Sequence, residues 1–97
     1  MVTPKQKAFL KSKAQKVDCK FQIGKNEITP ELLDMLNKAL VAHELIKVHV
    51  LKNATTPLKE LALDLAGALR AEIIQTIGKQ IVLYKPNLRE RKIILPE

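Results

Sequence analysis

The run Phe21-Gln22-Ile23-Gly24-Lys25-Asn26-Glu27-Ile28-Thr29-Pro30 passes from an extended apolar segment through a polar loop into a helix start. Thr29 is a preferred N-cap type, because its hydroxyl can accept from the first orphan N–H groups of a helix. Pro30 suits the first helical position, where a missing N–H costs nothing. Strand, loop and helix in that order make a β-to-α unit. Such a loop offers backbone N–H groups at the positive end of a helix dipole, and Lys25 adds a formal charge there. The same ten residues also read as a plain strand-to-helix turn, since one glycine-containing loop is a weak motif.

Two more Thr-Pro pairs, Thr3-Pro4 and Thr56-Pro57, each precede a segment with helical periodicity. Both read as N-cap followed by first helical residue. Gln6 lies three residues after Thr3 and completes a capping box. The first helix is expected over Pro4–Lys16, with Leu10, Ala14 and Val17 inward and lysines on both flanks of that stripe. A short strand follows at Lys20–Ile23. Beyond the loop, Leu32, Leu33, Leu36, Ala39, Leu40 and His43 fall at the spacing of one buried helical face. Leu45–Leu51 alternates as a strand, with Ile46, Val48 and Val50 on one side and Lys47 and His49 on the other. A third helix is expected from Pro57 to Arg70. Ile73–Ile77 and Gln80–Lys85 flank Gly78-Lys79, which suits a type II′ hairpin. The order α-β-α-β-α-β-β predicts one α/β (α+β) domain with a sheet and crossover helices. The tail from Asn87 is basic, then apolar at Ile93-Ile94-Leu95.

A chain of 97 residues supports one modest core. No stretch is long and apolar enough to span a bilayer, and no secretory leader is evident, so the expected location is cytoplasmic. Cys19 is the sole cysteine, which rules out an internal disulfide and a cysteine zinc cluster. The formal charge of +7 is unevenly placed: residues 1–25 carry +6, residues 26–78 carry −2, and residues 79–97 carry +3. If folding brings the two ends together they form one basic face, the footprint of a polyanion binder. The alternative is two lysine-rich surfaces serving solubility.

His43-Glu44-Leu45-Ile46-Lys47 begins like a zinc-protease helix but carries Lys where the second histidine is required. No nucleophile elbow, phosphate-binding loop of the Walker type or acid/base pair is present. No enzyme, cofactor or metal is expected. Phe9, Phe21 and Tyr84 are the only aromatics, too few for a sheet that stacks several bases. Nucleic-acid binding would therefore lean on lysine, arginine and backbone amides, which suits structured RNA.

Five segments in order resemble the CRM domain, named for chloroplast RNA splicing and ribosome maturation. They are Lys5-Gln6-Lys7-Ala8-Phe9-Leu10-Lys11, Ile23-Gly24-Lys25-Asn26 with Ile28-Thr29, His43-Glu44-Leu45-Ile46-Lys47-Val48, Ile77-Gly78-Lys79, and Val82-Leu83-Tyr84-Lys85. The resemblance covers nearly the whole chain and is to the free-standing bacterial members. It implies a four-stranded mixed sheet similar to the C-terminal domain of bacterial translation initiation factor three. It also implies binding to RNA, namely ribosomal RNA in precursors of the large subunit; a monomer with no membrane contact is the separate expectation. The family's site centres on a Gly-x-x-Gly loop, which maps here onto Gly24, Lys25, Asn26 and Glu27. The last glycine is absent, which removes a position free to take φ > 0 and adds a carboxylate beside the phosphate seat. That carboxylate is expected to engage the dipole of the second helix. Gly24, Lys25 and Asn26 are the expected loop contacts, and Lys5, Lys7, Lys11 and Lys13 the first helix's charge. Lys47, Lys79, Arg89, Arg91 and Lys92 are further candidates. The competing class is a protein-docking module on a ribosomal protein or assembly GTPase; a basic membrane-surface binder is disfavoured because the first helix lacks a broad apolar face.

Overall fold

Pro30 and Thr29 do begin a helix: Thr29 Oγ1 accepts the Leu32 N–H at 3.1 Å, and α2 runs Pro30–His43. The structure is a computed structural model and describes residues 2–25 and 27–86. Around α2 the order is α1 (Pro4–Ala14), β1 (Phe21–Ile23), then β2 (Leu45–Val50), α3 (Leu58–Leu69), β3 (Glu72–Ile77) and β4 (Gln80–Tyr84). This is the α-β-α-β-α-β-β order expected from the periodicities. The four strands form one mixed sheet in the order β1-β2-β4-β3. The α2 crossover returns the chain so that β1 and β2 lie parallel, while β2/β4 and β3/β4 are antiparallel.

α2 and α3 cover one face of the sheet and α1 covers part of the other, which explains why the middle strands β2 and β4 are mostly apolar. On one face Ile46, Val48, Val50, Ile81 and Leu83 pack against Leu36 and Leu40 of α2 and Leu61 and Leu65 of α3. On the other, Leu45, Ile74, Val82 and Tyr84 pack against Leu10 and Ala14 of α1. Leu10 is fully buried, and hiding a leucine side chain contributes about 1.5–3 kcal/mol. The start of α1 is pinned twice. Thr3 and Gln6 exchange capping-box bonds of 3.2 and 3.1 Å. The Val2 N–H also donates to both carboxylate oxygens of Glu72, at 3.1 and 3.2 Å, fixing α1 to the start of β3.

Several boundaries and roles differ from the sequence reading. α1 stops at Ala14 rather than Lys16, with the chain turning through N–H bonds from Gln15, Lys16 and Val17 back to Ser12, Lys13 and Ala14. Thr56 does not cap α3: Pro57 occupies the N-cap without a side-chain bond, and Leu58 is the first helical residue. His43 is exposed rather than part of the buried face, and His49 is half-buried. The buried residue at that corner is Glu44, which caps α2 in the left-handed region at φ 65. Its N–H donates to the Leu40 carbonyl at 2.8 Å and its carbonyl accepts from Lys85 at 2.9 Å, so its backbone joins α2 to the end of β4. The hairpin at Gly78-Lys79 is as expected: Gly78 takes φ +55, Lys79 does not take a positive φ, and Ile77 faces Gln80. The expected tail features at 93–95 lie outside the described residues.

Candidate nucleic-acid interface

Three loops meet at one end of the sheet, held by backbone bonds. The Leu51 N–H donates to the Ile23 carbonyl at 2.8 Å, and the Val50 N–H donates to the Lys79 carbonyl at 2.7 Å. The Glu27 carboxylate accepts the Thr56 N–H at 2.7 Å. The loop after β1, the loop after β2 and the β3–β4 hairpin turn therefore form one rim. Each contributes an exposed lysine: Lys25, Lys52 and Lys79 respectively. Of these, Lys52 is not among the contacts expected from the sequence; nothing in its local sequence sets it apart, and only the pairing of β1 with β2 brings its loop to the loop of Lys25.

The loop itself is a tight turn. The Glu27 N–H donates to the Gly24 carbonyl at 2.9 Å, so that donor is spent inside the loop and Lys25 is pushed to its corner. Glu27 adopts φ 52 despite being a glutamate. The left-handed conformation expected to be lost with the missing glycine is thus retained. Its carboxylate does not serve α2 as expected; it reaches the segment before α3 instead. The Thr56 hydroxyl and then the Thr56 N–H hold this carboxyl below its usual range, with smaller help from Thr55. Gly24 has no positive φ, and a Cβ there would meet the Asn53 side chain and Leu51 at ordinary contact distances of 3.4–3.7 Å.

Below this rim lies a strip of open sheet. Strand register aligns Gln22, His49, Gln80 and Ile77 as one row across all four strands. Alternation puts this row on the α1 face, because Leu45 and Val82 of the same face pack under α1. α1 covers only the far half, leaving Gln22 exposed, His49 and Gln80 half-buried and Ile77 54% exposed. The next row toward α1 holds Lys47, half-buried, opposite Val82. A polar strip without aromatics offers hydrogen bonds and charge in place of stacking.

The helix-one lysines, Lys5, Lys7, Lys11 and Lys13, are all exposed. At about 100° per residue, Lys7 and Lys11 lie on one flank of the Leu10–Ala14 stripe, and Lys5 and Lys13 on the other. No single groove faces all four. Lys13 is the one with a neighbour: its ammonium stands 5.6 Å from the Phe9 ring centroid. An ion pair on α2 joins Asp34 and Lys38 at 3.1 Å, and neither residue is among the candidate RNA contacts. Asn26, Arg89, Arg91 and Lys92 lie outside the described residues.

The CRS1/YhbY (CRM) domain pattern matches residues 2–85. The chain belongs to that family. The chain is 42% identical to a Bacillus subtilis protein, YqeI, described as a probable RNA-binding protein, over 99% of this chain and 100% of that one. A Haemophilus influenzae protein described as an RNA-binding protein is 38% identical over 98% of this chain and 95% of its own length. The solution structure of a hypothetical Staphylococcus aureus protein, described as a candidate RNA binder, superposes with a TM-score of 0.82 at 44% identity. That match covers 99% of this chain and 100% of that one.

Proposed function

We propose that the chain binds structured RNA without catalysing a reaction, through the rim of Lys25, Lys52 and Lys79, the open sheet strip with Lys47, and the lysines of α1. The arrangement that carries this reading is the rim. Two backbone–backbone bonds and the bond from the Thr56 N–H to the Glu27 carboxylate gather three lysines that are far apart in sequence onto one edge of an uncovered polar surface, where phosphates can be met together. CRM membership and the RNA-binding descriptions of the relatives support it. Gly24 and Lys25 act as loop contacts, with Lys5, Lys7, Lys11 and Lys13 extending the positive surface around α1.

The finer reading is that the RNA is ribosomal RNA in precursors of the large subunit. The chain would then act as a monomeric assembly factor in the cytoplasm. Its support is the resemblance to free-standing bacterial CRM proteins. If about five lysines each meet a phosphate, log affinity for ribosomal RNA fragments falls against log salt with a slope of roughly −3 to −5. A flat salt response overturns the RNA reading and favours a docking module. Crosslinking in cells with sequencing of the bound RNA tests the ribosomal part, and recovery of mainly messenger or transfer RNA overturns it.

A further inference from the structure

β1 is shorter than its neighbour, and this leaves a gap in the sheet. Its three residues pair only with Val48–Val50, so Leu45–Lys47 of β2 have no paired residue on that side. The chain between α1 and β1 bridges the gap without filling it. A recess of about 360 Å³ results, far from the lysine rim and beside the end of α1. Its walls are apolar: Val17, Phe21, Ala39, Leu45 and Ile46. Its mouth carries three cations, Lys13, Lys20 and Lys47. Lys47 also belongs to the α1 face of the sheet, two residues from His49, so recess and open strip are continuous along β2.

We infer that this recess is a subsite for one unpaired nucleobase of the bound RNA, a proposal that rests on the RNA-binding reading above. A nucleotide combines a flat apolar base with charged phosphates on either side, and the recess presents the complementary pattern. Phe21 supplies an aromatic surface for stacking. Lys13, Lys20 and Lys47 stand where the flanking phosphates must pass. At the same mouth the Asp18 carboxylate accepts from base N–H groups, and the His43 imidazole can donate or accept. An apolar peptide side chain would use the walls but leave the excess of positive charge, three lysines against Asp18, unanswered. This subsite also accounts for how a fold with so few aromatics can contact a base at all: one ring is used, in a recess, and not on the open sheet.

The test uses the full chain and two RNA hairpins that differ by one bulged nucleotide, carried as 2-aminopurine. The wild-type chain is expected to bind the bulged hairpin roughly five- to tenfold more tightly than the fully paired one, with quenched 2-aminopurine fluorescence. Ala39→Leu, which fills the recess from α2, and Phe21→Leu, which keeps apolar bulk but removes the ring, should each bring that ratio close to one. Affinity for the paired hairpin should stay unchanged in both. Phe21 and Ala39 both pack against the main core, so thermal melts accompany the binding measurements and either variant that folds suffices for the test. A wild-type ratio of one, or a preference that survives both substitutions, overturns the subsite and leaves the basic interface standing. Failure of the wild-type chain to bind either hairpin at low salt overturns the RNA reading and the subsite together.

Discussion

Glu27 Oε2 accepts the backbone N–H of Thr56 at 2.7 Å, joining the loop after β1 to the segment that leads into α3. The two residues are 29 apart in sequence. α3 has no side-chain cap of its own, so this carboxylate supplies the negative group that a helix start favours. The same contact spends the charge that would otherwise face an RNA phosphate. It also accompanies a left-handed backbone that a glutamate adopts only at a cost. The loop thus keeps the conformation that glycine allows while gaining a tether that glycine lacks.

The backbone cost and the tether can be separated with two substitutions. Glu27→Ala loses the carboxylate and keeps a side chain at φ 52, whereas Glu27→Gly loses the carboxylate and relieves the backbone. Both should melt below the wild-type chain, with the glycine variant higher than the alanine variant by a few degrees. Paired thermal melts check this, and equal melting points for the two variants would mean the backbone carries no strain. RNA affinity measured on the same proteins should fall in both, because the rim loses one of its three ties.

Acid should weaken this tether in a defined direction. The carboxyl of Glu27 is held below its ordinary value of 4.5 in the folded chain, first by the Thr56 hydroxyl and then by the Thr56 N–H. A lowered folded-state value stabilises above the unfolded-state value and is lost as pH falls through the folded one. The melting-point gap between the wild-type chain and Glu27→Ala should therefore hold steady from pH 7 down to about 5 and shrink below about 4.5. A gap that widens with acid would contradict the assignment.

The flank of α1 that carries Lys13 should matter more for RNA than the opposite flank. Lys13 shares the mouth of the recess with Lys20 and Lys47, whereas Lys7 and Lys11 point to the other side of the Leu10–Ala14 stripe. Lys5→Gln with Lys13→Gln should reduce the salt slope by about 1–2, and Lys7→Gln with Lys11→Gln by less than about 1. All four side chains are exposed and Gln is close to Lys in helix propensity, so both double variants should melt near the wild type. Equal losses from both pairs would mean that RNA wraps α1 on two sides.

The two loop glycines should respond differently to alanine. Gly78 holds φ +55 with nothing within 4 Å of a new Cβ, so Gly78→Ala pays only the left-handed backbone cost, about 1–2 kcal/mol. Gly24 has no positive φ and a Cβ there meets ordinary contacts, so Gly24→Ala should cost well under about 1 kcal/mol. Denaturant unfolding of the two variants distinguishes them. The reverse order would mean that the β1 loop, not the hairpin, is the strained turn.

Local chemistry alone determined the elements. Thr3-Pro4 and Thr29-Pro30 start helices because a hydroxyl and a preset φ act within one turn, and Gly78 makes a hairpin because only its own φ is at issue. The family was legible too, since its segments lie in order along the chain. Thr56-Pro57 looked identical to the other two pairs, yet Thr56 gives its N–H to a carboxylate 29 residues away. Glu44 figures in the sequence only within an incomplete zinc-protease pattern and a CRM segment, yet the close of α2 and the end of β4 enclose it. Lys52 joins Lys25 only through the parallel pairing of β1 with β2, and the recess exists only because β1 stops short of Leu45. Short-range hydrogen bonding and φ preferences are written in neighbouring residues, so sequence determined the helices, strands and turns. Which loops share a rim, which charge is spent inside the molecule and where the sheet leaves a gap depend on strand register and helix placement, and those were decided only when the whole core closed.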